Sequence, residues 1–134
     1  MFTEISIRTG VRTELVDITP QIQEAVSRSD VRDGLCHLFV PHTTAGITMN
    51  ENWDPAVRQD VVAALNALVP ASPSYRHTEG NSPAHIKATL TGFSVACPVR
   101  GGKLALGTWQ GIYLAEWDGP RQRHIYLTIH EIAG

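Results

Sequence analysis

Cysteine is scarce in this chain of 134 residues: there are two, Cys36 and Cys97, each inside an apolar run. Two thiols so placed do not make the disulfide framework of a small secreted domain and read as buried free cysteines. Charge is sparse as well. Lys, Arg, Asp and Glu make up 18% of the chain, and a net charge of −2 leaves no basic surplus, which argues against a nucleic-acid partner. Arg121 and Arg123 come nearest to a basic pair. Nowhere do about 18 apolar residues run together, so neither a membrane-spanning helix nor a membrane partner is expected. The first residues, Met-Phe-Thr-Glu-Ile, lack the basic-then-apolar order of a secretory signal, and a cytoplasmic location is the default expectation. HExxH and CxxC spacings, internal repeats and low-complexity tracts are all missing. What is present, a 43% hydrophobic composition, suits one domain over residues 1–134. A chain of this size buries roughly two-thirds of its unfolded surface.

Local patterns sort the chain into elements. Residues 2–9 alternate, with Thr3, Ile5 and Ile7 opposing Phe2, Glu4, Ser6 and Arg8, and a second short strand over 12–18 suggests an N-terminal hairpin. Thr19-Pro20 reads as a helix start with Thr as cap, followed by Ile22, Ala25 and Val26 at helical spacing. Leu35–Val40 reads as a buried strand, with His37 as a satisfied core residue and Ile47–Asn50 as its partner. Asp54-Pro55 opens a helix whose stripe is Val57, Val61, Leu65 and Leu68. Ser82-Pro83 repeats the cap-plus-proline device. Strands are expected at 93–97, 103–106, 109–117 and 121–131, with Asp118-Gly119 joining the last two as a hairpin. The 109–117 strand carries apolar residues on both faces and should be covered on both sides. This order predicts an α+β fold, with mostly antiparallel sheets in a sandwich-like core and about three helices packed outside.

Titratable groups cluster in two segments, Pro41-His-Thr-Thr-Ala-Gly46 and Tyr75–Thr89. His42, His77 and His85 supply imidazoles, which suit zinc and similar ions and also suit proton transfer. Glu79 lies two residues from His77 and points the same way in extended chain. The Ser82 helix start offers backbone N–H groups to an anion, with Asn81 and Lys87 as helpers. Glu51 is a carboxylate with no helical role and is a candidate to orient an imidazole. Thr43, Thr44, Gln110 and Arg121 are candidate substrate contacts, and Gln110 shares a strand face with Glu116. Trp109 is expected in the core or at an interface. His124 and His130 are read as structural and outside the site.

Three longer segments carry a resemblance. They are His42-Thr-Thr-Ala-Gly-Ile-Thr-Met-Asn-Glu-Asn-Trp-Asp-Pro55, Tyr75-Arg-His-Thr-Glu-Gly-Asn-Ser-Pro-Ala-His-Ile-Lys-Ala88, and Leu106–Tyr113 continuing through Glu116-Trp-Asp-Gly-Pro-Arg121. Together they resemble the YjbQ-like family nearly end to end. The resemblance implies an α+β domain that assembles as a homotrimer. It implies a weak thiamine-phosphate synthase activity, which joins a hydroxymethylpyrimidine diphosphate to a thiazole phosphate and releases pyrophosphate. His42, His77 and His85 match the family's candidate metal ligands, for zinc or a similar divalent ion, with magnesium a further candidate beside a diphosphate. The resulting expectation is a metal-binding enzyme for a small phosphorylated metabolite, with Glu51, Glu79 and Lys87 as catalytic candidates. The rivals are a metal-independent acid–base enzyme and a non-catalytic metabolite-binding trimer.

Overall fold

A computed structural model gives the fold and describes residues 1–77 and 79–132. In chain order the elements are β1 (Phe2–Arg8), β2 (Glu14–Asp17), α1 (Thr19–Arg28), β3 (Gly34–Phe39), β4 (Ala45–Glu51), α2 (Pro55–Leu68), α3 (Ser82–Thr91), β5 (Ser94–Arg100), β6 (Lys103–Leu104), β7 (Gln110–Glu116) and β8 (Gln122–Glu131). The strands form a five-stranded sheet, β1-β8-β3-β5-β6, and a three-stranded sheet, β2-β7-β4. All pairings in both are antiparallel. The fold is α+β, as the element order predicts.

Alternation places the core. Ile7, Cys36, Leu38, Ile125, Leu127 and Ile129 of the large sheet meet Ala45, Ile47, Ile112 and Leu114 of the small one, with Ile22 and Val26 of α1 in the same cluster. Each fully buried Ile or Leu contributes about 1.5–3 kcal/mol. A second cluster, Leu15, Ala84, Ala88, Tyr113, Ala115 and Trp117, fills the space between the small sheet and α2 and α3. The small sheet is therefore covered on both faces, and β7 is buried from Gly111 to Glu116. Gly46 makes the α3 contact close: a Cβ there would lie 2.5 Å from the Gly92 carbonyl oxygen at the end of that helix.

Several local expectations need correction, mostly over partners. Residues 2–18 do not form a hairpin: β1 pairs with β8, and β2 pairs with β7 in the other sheet. The same holds for β7 and β8, which the Asp118-Gly119 turn carries into different sheets. The partner of β4 is β7 rather than β3. Periodicity reports which face a strand buries, but it does not identify the neighbouring strand. In β3 only Cys36, Leu38 and then Val40 point inward; Leu35 and Phe39 are exposed, and His37 is half-buried on the outer face. Helix α1 is started by Asp17, whose Oδ1 accepts from Thr19 N and Oγ1, so Thr19 is not the cap. Asp54 does cap α2, accepting from Ala56 N at 2.9 Å. The α2 stripe is only half-buried, and Leu68 is exposed.

Candidate active site: a histidine–arginine cleft

The β3–β4 connection creates the first part of the site. Strand β3 pairs with β8 up to Phe39↔Tyr126. Continuing that register would set Pro41 opposite His124, but Pro41 has no N–H to give and the chain turns away. The imidazole of His42 takes over, and its Nε2 accepts the His124 backbone N–H at 2.8 Å. A backbone N–H can only donate, so Nε2 is unprotonated and the neutral ring carries its proton on Nδ1. Burial lowers the His42 pKa below its ordinary value; the Arg123, His124 and Arg121 charges add to this, and Glu116 opposes it. His42 is thus held neutral, with Nδ1–H as its remaining polar group.

The second part is the turn into α3. Gly80, with a left-handed φ of 76°, lets the chain bend between Glu79 and Asn81. Asn81, rather than Ser82, occupies the cap position of α3, and Ala84 N and His85 N both donate to its carbonyl. Pro83 has no N–H, which leaves little of the anion cradle expected at Ser82. The Asn81 side chain donates to Asp118 Oδ2 at 3.0 Å. Its Oδ1 is buried with no hydrogen-bond partner among the described residues.

The β7–β8 corner completes the site. Arg121 donates from Nε to the Asp118 carbonyl and from Nη2 to the Asp118 carboxylate, at 2.8 and 2.9 Å. Arg123 is buried and donates from Nε to Glu116 Oε1 at 2.8 Å. Burial pushes the Glu116 carboxyl up, but hydrogen bonds led by that from Arg123, then those from Asp118 N and Thr9, hold it below the carboxylate range. These parts enclose a cleft of about 360 Å³ lined by Pro41, His42, Thr43, Thr44, Glu79, Asn81, His85, Arg121 and Arg123.

Seven residues singled out from sequence therefore meet in one place: His42, Thr43, Thr44, Glu79, Asn81, His85 and Arg121. His77 and Ser82 line an adjoining hollow of about 220 Å³. His77 still reaches the cleft group, with its ring 5.1 Å edge-on from that of His85 and its Nε2 3.8 Å from Glu79 Oε2. Lys87 is not in the cleft. It is buried on another face of α3, bonded to Asn66 Oδ1 and 5.0 Å from the Trp117 ring centre. Burial, and then Arg12, lower its pKa. Glu51 and Gln110 are cross-strand partners at the far end of the small sheet. Gln110 folds back to accept from Gly107 N. That end is about 20 Å along the strand from Glu116, so neither Glu51 nor Gln110 joins the site.

The imidazole geometry also constrains a metal. A neutral imidazole has one lone pair in its plane, and that of His42 is already used by His124 N–H. Among the described residues no three His, Cys, Asp or Glu side chains converge into a metal-holding group. The three-histidine set does not fit an ion in this arrangement.

Sequence reasoning singled out Arg123 and Glu116 separately but missed their pairing, and it missed the His124 backbone. A signal was available. In β7 the inward positions read Ile112, Leu114, Glu116, and in β8 they read Arg123, Ile125, Leu127. Opposite charges on apolar faces at adjoining strand ends imply a buried pair.

Fold and cleft together define a two-sheet α+β domain with an imidazole- and guanidinium-lined site at one end of its core. The chain belongs to the YjbQ-like family: a family model described as UPF0047 protein YjbQ-like matches residues 3–132. The UPF0047 protein MJ1081 of Methanocaldococcus jannaschii is 52% identical over 96% of this chain and 94% of its own length. An uncharacterised conserved protein of the same family from Clostridium acetobutylicum has a crystal structure 48% identical in sequence. It has a TM-score of 0.92 and covers 96% of this chain and 99% of its own. A solved YbjQ-like protein of unknown function from Sulfolobus solfataricus P2 is 39% identical with a TM-score of 0.92, over 98% and 97% of the two chains.

Proposed function

We propose that the cleft is the site of an acid–base enzyme that takes a small phosphorylated metabolite. The observation that carries this reading is the His124 N–H bond to His42 Nε2. It leaves a neutral imidazole with an N–H to donate, in a cleft that also holds Arg121, His85 and Glu79. Fixed N–H donors suit a phosphate or departing pyrophosphate, because they meet negative charge without reorganising. His85 and Glu79 are the groups placed to exchange a proton with the rest of the ligand. The buried Asn81 Oδ1 would accept from a ligand hydroxyl or amine.

A weak thiamine-phosphate synthase reaction is compatible with these groups. The thiazole nitrogen lone pair forms a bond to the pyrimidine methylene carbon as the C–O bond to pyrophosphate breaks. The charge gathering on pyrophosphate is then met by His42 Nδ1–H and Arg121. A divalent ion is not part of this reading: His77, the half-buried His85 and Glu79 approach one another without forming a three-ligand group among the described residues. The aromatic outer face of the large sheet, where Phe2 and Phe39 each lie against Tyr126, supports assembly into a homotrimer, which light scattering would weigh directly.

The test is calorimetry with inorganic pyrophosphate, together with a product assay on the pyrimidine diphosphate and thiazole phosphate. The assay is run with magnesium, with chelator, and with zinc restored. Binding that weakens about tenfold or more in His42→Ala supports the anion site. Turnover lost to chelator and regained only with zinc overturns the metal-independent part of this reading. Tight binding without product over long incubation makes the protein a non-catalytic receptor. Failure of pyrophosphate, phosphate and both substrates to bind sinks all of these.

A further inference from the structure

We infer that Arg123 is a positioning residue for the cleft, with Glu116 as its buried counter-ion, and that the pair holds His42 as an Nδ1–H donor. This rests on the reading of the cleft given above and extends it to one buried lining residue and the counter-ion behind it.

Arg123 and Glu116 stand where the core between the sheets ends. Arg123 continues the inward face of β8 beyond Ile125 and Leu127. Glu116 continues that of β7 beyond Ile112 and Leu114. Both are almost wholly buried, at 4% and 0% exposure. The carboxylate is fully occupied: Oε1 accepts from Thr9 Oγ1 and Arg123 Nε, and Oε2 accepts from Arg123 Nη2 and Asp118 N. It is therefore an anchor and not a proton carrier. The guanidinium reaches further. Its Nη2 donates to Thr44 Oγ1 at 2.8 Å and approaches the Thr44 carbonyl at 3.3 Å.

Thr44 lies two residues after His42, and Arg123 immediately precedes His124. One guanidinium thus fastens both sides of the His124 N–H to His42 Nε2 bond, the loop that carries the acceptor and the strand that carries the donor. Stability alone does not call for such a pair, since apolar residues of similar volume often replace a buried ion pair at no cost. A planar fork that spans a carboxylate on one side and a loop on the other is a geometric device, and lysine does not reproduce it.

The experiment follows the imidazole nitrogens of His42 by NMR, with a pyrophosphate titration alongside. It compares the wild type, Arg123→Lys and the double variant Glu116→Gln with Arg123→Met, which leaves no unpaired buried charge. The wild type should show one His42 tautomer, protonated on Nδ1. The folded double variant should show mixed tautomers and pyrophosphate affinity weakened about tenfold, with Arg123→Lys shifted in the same direction. A folded double variant with His42 still locked and affinity intact overturns the inference. If the double variant does not fold, Thr44→Val removes the hydroxyl acceptor alone and is read by the same tautomer signal, where an unchanged lock again overturns it. A wild type that holds the tautomer, loses it in the variants and binds no pyrophosphate defeats the phosphate reading while supporting the positioning role.

Discussion

The two ends of β7 carry similar side chains and meet opposite fates. Glu116 at one end is wholly buried and bonded on both oxygens; Gln110, on the same face at the other end, is exposed and folds onto Gly107 N. Three chain segments pass over the Glu116 end: residues 9–13, 40–44 and 117–121. The Gln110 end projects beyond such cover. There, Trp109 and Trp53 touch edge-on at 5.8 Å while 55% and 77% exposed. A polar group becomes part of a site when neighbouring chain takes it out of water and supplies its partners. Sharing a strand face does not do this.

Substitutions sharpen this contrast. The largest effect belongs to Arg123→Ala, which strands a buried carboxylate and should cost about 3–5 kcal/mol in urea unfolding. Glu51→Gln and Gln110→Ala at the far end should each stay within about 0.5 kcal/mol. Equal losses at the two ends would erase the distinction. Next in size is ligand affinity: Arg121→Ala should weaken pyrophosphate binding about tenfold, while Trp109→Ala leaves it unchanged, both read by calorimetry.

Acid gives a smaller and graded effect. The folded His42 pKa lies below its ordinary 6.5. As pH falls through 6.5 the unfolded chain binds a proton there that the folded chain refuses, so stability present above that pH is lost on the way down. Glu116 acts with the same sign at lower pH, because its folded value is also depressed. Urea midpoints should therefore drop between pH 7.5 and 5.5, and His42→Asn should flatten the drop. The smallest signal is from the thiols. Cys36 and Cys97 face each other across β3 and β5, and burial pushes Cys36 up to about 12. A thiol reagent at pH 8 should label neither until the protein is unfolded.

Much of the architecture could be read from periodicity. The inward set of β1, the two-sided burial of β7 and the Asp54 cap of α2 each depend on nearby residues, and all three are found. The hairpins expected at 2–18 and 109–131 are not, because strand pairing is chosen by the whole sheet. The site divides in the same way. His42, Glu79, Asn81, His85 and Arg121 were legible because their segments place several reactive groups close together. Lys87 misled because two positions along a helix turn the side chain to another face, where Trp117 and Asn66 receive it. The pairing of Arg123 with Glu116 was overlooked because it crosses from one sheet to the other.

Those crossings are stitched to one another. Thr9 N donates to the Arg121 carbonyl, Arg121 N to Thr9 Oγ1, Gly119 N to the Arg12 carbonyl and Trp117 N to the Thr44 carbonyl. Arg123 Nε, donating to Glu116 Oε1, then joins β8 of one layer to β7 of the other, so the two layers are sewn along a seam, with the cleft lying on it. Sliding of one layer over the other would tear at this seam first, so a molecule lodged in the cleft acts as a rivet through both sheets. Its arrival should slow amide exchange in β4 and β8 together, although neither strand pairs with the other.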